Sequence, residues 1–266
     1  MMIDTHCHLD LVAKHTDLPA VISEARLAGV KAMIVPGIDE NNWSTVTHLA
    51  QQYDDVYYAL GYHPAFLDTL AEHSIAKLDA QVTAALEGSN KCVAIGECGL
   101  DFYTIVGMES VEALKSQQKQ LLKEHIFIAN AHQLPVILHC RKAHQDMVAL
   151  LRQCPPKHGG VIHGFSGSYQ QAMDYVNLGI SIGVGGVISY ERAKKTRETI
   201  SRLPIECLLI ETDAPDMPLS GYQGRINKPK MIKLTLSTLI MLRSESAQTV
   251  TSQVLINSKS LFSICD

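Results

Sequence analysis

Short apolar runs recur along the chain, and behind each comes a stretch whose apolar positions have helical spacing. The runs predicted as strands are Met2–His8, Lys31–Pro36, Val56–Tyr62, Cys92–Glu97, Pro135–His139, Gly160–His163, Ile180–Val184 and Cys207–Asp213. The helical patterns between them are Pro19–Ala28, Glu40–Gln52, Ile75–Leu86, Ser116–His132, His144–Arg152, Tyr169–Asn177, Tyr190–Arg202 and Lys230–Arg243. A last amphipathic stretch, Ala247–Phe262, closes the chain. Eight strands alternating with eight helices is the rhythm of an α/β fold of the (β/α)8 barrel type. An open doubly wound sheet shares that alternation, so the choice rests on what stands at the strand ends. No short-period repeat, low-complexity tract or Ser/Gly-rich linker interrupts the pattern, which predicts one domain over residues 1–266. Two irregular stretches, Asp101–Lys115 and Ala214–Lys228, are long for barrel loops, and long loops on the carboxyl side of a barrel are usually functional.

Composition narrows the class. The chain has 266 residues, 46% of them hydrophobic, ample for a large core. With a net charge of -4 and no long basic tract, it is unsuited to broad coating of duplex DNA. An anionic substrate would have to be met by a few local cations. The cysteines number seven, an odd count with no C-x-x-C, and several lie inside apolar runs. That predicts reduced thiols in a cytoplasmic protein. The start of the chain has no charged leader followed by an apolar stretch, and no run reaches the ~18 apolar residues of a membrane helix.

The chemistry stands at the ends of the predicted strands. His6 and His8 finish the first, His63 follows the third, Glu97 closes the fourth, His139 the fifth, His163 the sixth and Asp213 the eighth. Side chains alternate along a strand, so His6 and His8 share a face, with Asp4 deeper on it and Thr5, Cys7 and Leu9 opposite. A lone His-X-His is a weak signal. The joint set is specific, because the strand ends of a barrel converge on one mouth and unpaired charges buried there are costly. Six ligands are too many for one tetrahedral ion and natural for two bridged by a carboxylate. His6, His8 and Asp213 are expected to hold one metal and His139 and His163 the second, with Glu97 as the bridge. Two such ions ~3.5–4 Å apart clamp a nucleophilic water and polarise a phosphoryl or carbonyl oxygen. Asp213 would take a proton from that water and pass it to the leaving group. The mixed imidazole and carboxylate set suits Zn or Mn better than Mg. No G-x-S-x-G nucleophile elbow occurs, and no Cys–His pair offers itself instead.

The chain resembles the TatD family of metal-dependent hydrolases, within the amidohydrolase-like barrels, nearly end to end. The matching stretches are Ile3–Asp10, Gly61–Pro64, Gly96–Asp101, Pro135–Arg141, His163–Gly167, Glu211–Pro215 and Asn257–Phe262. The resemblance implies a divalent-metal-dependent deoxyribonuclease, an exonuclease of the 3′–5′ type, with the same metal roles for His6, His8, Glu97, His139, His163 and Asp213. Gly164, Cys140 and Lys228 stand where Cys, Ser and Glu are frequent in the family. None is a metal ligand, but Lys228 bears on substrate preference.

Further residues have two readings each. His63 is expected to contact substrate phosphate or to orient a ligand, against a structural histidine. Arg141, two residues beyond His139, suits a phosphate with its planar fork, against a rim salt bridge. Ser166 could join an anion site where the next helix opens, against a plain helix cap. Arg225 and Lys228 are loop cations, in contact with phosphate or simply solvated. The run Arg192, Lys194, Lys195, Arg197 reads as a solvated helix face that could guide a nucleic-acid strand. Asp4 and Glu211 could accept hydrogen bonds from ligating imidazoles, against pairing with a Lys or Arg. His125 and His132, on an outer helix, read as core or surface histidines. The expected partner is DNA or a small phosphoester, with no membrane and no obligate protein partner. The rivals are a two-metal hydrolase of another ester or an amide, and a metal-bound barrel that only binds.

Overall fold

The computed structural model describes residues 1–71, 73–89 and 91–265, with the backbone alone at 68 and 69. Strands β1 (Met2–Asp4), β2 (Val30–Pro36), β3 (Val56–Leu60), β4 (Cys92–Asp101), β5 (Val136–Arg141), β6 (Gly160–Ile162), β7 (Ile180–Val184) and β8 (Leu208–Ile210) pair in chain order, all parallel. The helices are α1 (Leu9–Val12), α2 (Leu18–Leu27), α3 (Glu40–Gln52), α4 (Ser74–Gly88), α5 (Val111–Ala131), α6 (His144–Gln153), α7 (Tyr169–Val176), α8 (Lys194–Arg202), α9 (Ile232–Leu242) and α10 (Ala247–Phe262). The last strand returns to the first. Thr5 donates its backbone N–H (3.2 Å) and its hydroxyl (3.0 Å) to the Ile210 carbonyl, and Asp213 N–H donates to His6 O at 2.9 Å. The sheet is thereby a closed (β/α)8 barrel, with every strand delivering its carboxyl end to one rim.

Buried on both faces, the strands need apolar side chains both inward and outward. Ala32, Ile34, Ala59, Ile137, Val161 and Leu209 belong to one cluster, the barrel interior, which Phe262 and Ile264 join. The residues alternating with them, such as Met33, Val35, Leu138 and Ile210, pack in the layer under the helices.

Several boundaries depart from the sequence expectation, and for three of them the cause is visible. β1 stops at Asp4 instead of running to His8. Its register shifts between Met2 and Ile3, and the Asp4 carboxylate accepts Thr212 N–H (2.9 Å) and Thr212 Oγ1 (2.6 Å) across the closing seam. Strict alternation therefore fails there: Ile3 lies in the barrel interior while Cys7 lies outside it. β3 stops at Leu60 because the Tyr62 N–H leaves the sheet to donate to His125 Nε2 at 2.9 Å. α5 begins at Val111, ahead of Ser116, since Val111 and Leu114 already pack on the core. The loop after β4 is correspondingly short, while residues 211–228 after β8 contain no helix or strand. Among the described residues no helix is long and apolar enough to cross a membrane.

Candidate metal centre

Glu97 is the middle of the site. β4 bulges between Ile95 and Cys98, and Glu97 N–H turns to Gly37 O at 2.8 Å instead of the β5 ladder. This bulge brings the neighbouring backbone very close to β5. At Gly99 (φ 152°) any side chain would collide with the His139 carbonyl, so only glycine serves. Glu97 ends with 2% exposure. Its Oε2 lies 3.3 Å from His6 Nε2 and 3.6 Å from His8 Nε2. Its Oε1 lies 2.8 Å from His163 Nε2, 3.0 Å from His139 Nδ1 and 3.3 Å from His63 Nε2. Asp213 Oδ1 joins the first group, 3.5 Å from His6 Nε2 and 3.8 Å from His8 Nε2. The irregular backbone after β1 thus gathers the two imidazoles that the alternation argument also placed together.

Asp213 sits at φ 58°, a region that an aspartate tolerates better than most residues. The seam holds it there, through Asp213 N–H to His6 O and His8 N–H to Ala214 O at 2.7 Å.

These separations fit divalent ions. Donor atoms bonded at roughly 2.0–2.2 Å around one ion stand about 3 Å apart. Among the described residues, three sets of donors are close enough to share an ion: His6, His8 and Glu97; His6, His163 and Asp213; His63, Glu97 and His139. His63, expected to meet substrate, is therefore already beside Glu97. The charged groups of the cluster shift one another's ionisation. Burial opposes ionisation of Glu97, but His163, His63 and His6 outweigh it and hold its carboxyl well below the usual carboxylate range. Burial and the neighbouring His163 push His6 down to about 3. His163 rises to about 10, burial being overcome chiefly by Glu97, then Asp213 and Glu211. Burial raises Asp213 against the pull of His163 and His8.

One residue that sequence reasoning passed over orients a ligand. Asp101, 2% exposed at the end of β4, has Oδ2 3.2 Å from His139 Nε2, so His139 can turn Nδ1 toward Glu97. Its other oxygen accepts the N–H groups of Tyr103 (2.9 Å) and Thr104 (3.0 Å). The signal was the Asp of Gly96–Asp101. The bulge hid it, since four residues from Glu97 a regular strand would put it two layers away. Asp4 does not meet an imidazole as expected; it accepts the backbone N–H of His6 (3.5 Å) and serves the seam. Glu211 accepts Gly164 N–H and lies 4.0 Å from His163 Nδ1.

The outer residues fall in several places. Arg141 is exposed, with its guanidinium 3.8 Å from the centre of the Tyr103 ring. Ser166 does not open a helix, because a capping box of Ser168 and Gln171 starts α7 two residues later. The Ser166 hydroxyl instead lies 3.3 Å from that of Thr196, in a cleft beside His163. Arg225 and Lys228 do not line the histidine pocket. They line a separate cleft of about 530 Å³ with Tyr222 and Lys230, and Lys228 Nζ is 3.6 Å from Glu24. His125 is a core histidine and His132 pairs with Asp79 at 2.7 Å.

The chain is similar to known proteins along nearly its whole length. A family model described as TatD related DNase matches residues 3–263. YjjV of Escherichia coli, named an uncharacterized metal-dependent hydrolase, is 41% identical over 262 residues, 98% of each chain. An uncharacterized metal-dependent hydrolase of Haemophilus influenzae is 35% identical over 263 residues, again 98% of each. The crystal structure of the Escherichia coli YjjV protein, a TatD homologue, matches with a TM-score of 0.92 at 40% identity, over 99% of this chain and 98% of that one. The chain belongs to the TatD-related family of metal-dependent hydrolases.

Proposed function

We propose that this hydrolase is a two-metal phosphodiesterase that shortens DNA from an end or along a single strand, an exodeoxyribonuclease of the 3′–5′ type. The observation that carries the reading is the split of Glu97, one oxygen toward His6 and His8 and the other toward His139, His163 and His63. His6, His8 and Asp213 would hold one ion and His139 and His163 the other, with Glu97 shared. Bound Zn, Mn or Mg would supply Lewis acidity toward a phosphoryl oxygen and make water acidic near neutral pH. The protein's own groups do the rest. Asp213, on the rim of the cluster and raised by burial, accepts the proton of the attacking water and returns it to the leaving oxygen. Leu11, Ile38 and Phe66 form the apolar side of the pocket. His63, which lines the same pocket with Nε2 3.3 Å from Glu97, would contact a phosphoryl oxygen of the substrate. The family description as a DNase supports phosphodiester over carboxylic ester or amide. The free cysteines suit a reducing compartment, and cytoplasmic residence is part of the proposal.

The test is digestion of end-labelled single-stranded DNA by metal-free protein refilled with Mg, Mn or Zn. Asp213→Asn and His139→Ala run beside it. The expected result is progressive shortening from the 3′ end that needs metal and falls at least ~100-fold in both variants. Absence of cleavage with metal bound would sink the DNA assignment and turn attention to ester and amide substrates.

A further inference from the structure

A second cleft, of about 450 Å³, opens beside the metal centre and shares His163 with it. It lies between the start of α6 and the starts of α7 and α8. Its size is that of a small-molecule site, roughly 300–1,000 Å³. Phe165 and Tyr175, both buried, give it an aromatic floor. Lys142, between β5 and α6, and Lys195, in the first turn of α8, also line it. Both are exposed, and among the described residues neither has an ion-pair partner. The lining carboxylate Asp146 does not neutralise them, because Lys119 holds it at 2.5 Å, and His144 is turned to Asp174 at 3.4 Å. Lys142 also has a left-handed backbone, φ 58°, between β5 and α6. A lysine gains nothing from that conformation by itself, and such positions concentrate where side chains must be aimed.

We propose that this cleft is a subsite for the single-stranded oligonucleotide chain next to the bond being cut, with Lys142 and Lys195 on its phosphate and sugar-phosphate oxygens and the Ser166 hydroxyl as a further donor. The inference rests on the phosphodiesterase reading of the metal centre. The arrangement meets the need that the net charge of -4 creates: the anionic chain is received by local cations at the mouth and not by a basic face. It also gives Ser166 and Lys195, singled out in the sequence for different reasons, one place in the fold.

The experiment uses the Lys142→Ala/Lys195→Ala double variant, with Lys195→Glu as a second variant. Two activities are compared in the metal-loaded protein, cleavage of a four-residue oligothymidylate and cleavage of bis(p-nitrophenyl) phosphate, a diester with no further phosphate for the two lysines to hold. In parallel, a fluorescent oligothymidylate is titrated into chelator-treated protein at several salt concentrations. The subsite predicts a KM for the oligonucleotide raised about tenfold or more, with the small diester turned over as before. It also predicts that the slope of log affinity on log salt falls by roughly 1.4, for two phosphate contacts on a single strand. An unchanged KM and salt slope would overturn it, as would an equal loss on both substrates. If no diester is cleaved at all, the phosphodiesterase reading fails, and the binding arm still decides the cleft: a lost salt slope in the variants supports it, and absence of binding by the unaltered protein refutes it.

Discussion

At the scale of the residue, the centre depends on which nitrogen each imidazole turns inward. His139 faces Glu97 through Nδ1 because Asp101 accepts from its Nε2. In Asp101→Asn the amide can keep the Tyr103 and Thr104 contacts with its oxygen. Its NH2 would then face His139 Nε2 and favour the proton on Nδ1, removing the inward lone pair. The expected outcome is metal affinity lower by about 10–100-fold with the fold intact, read by metal titration and circular dichroism. Unchanged affinity would mean that Asp101 only caps its own loop. The candidate ligands themselves were legible, because four histidines and two carboxylates at strand ends have few structural uses. Asp101 was not, since its role depends on a bulge whose presence no residue pattern announces.

At the scale of the element, β4 and α5 show what pattern carries and what it leaves out. Apolar runs located all eight strands, since strands buried on both faces read as such. Their ends were less legible, because partners far along the chain decide where a ladder stops. Thr212 ends β1, and His125 on α5 ends β3. His125 is fully buried, accepts from Tyr62 N–H, and has its other ring nitrogen 2.7 Å from Leu121 O. Burial lowers its pKa from 6.5 to about 4. Its folded-state pKa thus lies below the unfolded value, so the unfolded chain takes up the proton first. The stability it supports is complete above pH 6.5 and is lost as pH falls from there to 4, by about 3 kcal/mol in all. Urea unfolding of the protein and of His125→Gln at pH 7 and pH 5 checks this. The variant is expected to be less stable at pH 7 and to lose less between the two values. Equal losses would show that His125 does not carry the dependence.

At the scale of the whole molecule, the barrel is closed by the same segment that carries Asp213, so the proposed metal centre links metal binding to closure. Thr5, His6 and His8 on one side meet Ile210, Asp213 and Ala214 on the other. An ion held there binds the folded state and not the unfolded chain. Chelation is therefore expected to lower Tm, since metal at 100 times its Kd stabilises by about 2.7 kcal/mol. A scan with and without chelator reads the shift, and an unchanged Tm would separate the site from the seam. The alternation of strands and helices made eight units legible in the sequence, but the hydrogen bonds that join the last unit to the first lie between residues some two hundred positions apart. The central claim, two ions divided by Glu97, is tested most directly by adding Mn in measured steps to metal-free protein while recording bound metal and diester cleavage on the same samples. The account predicts binding of two ions per chain and activity that reaches its plateau only with the second. A plateau at one ion per chain would contradict it.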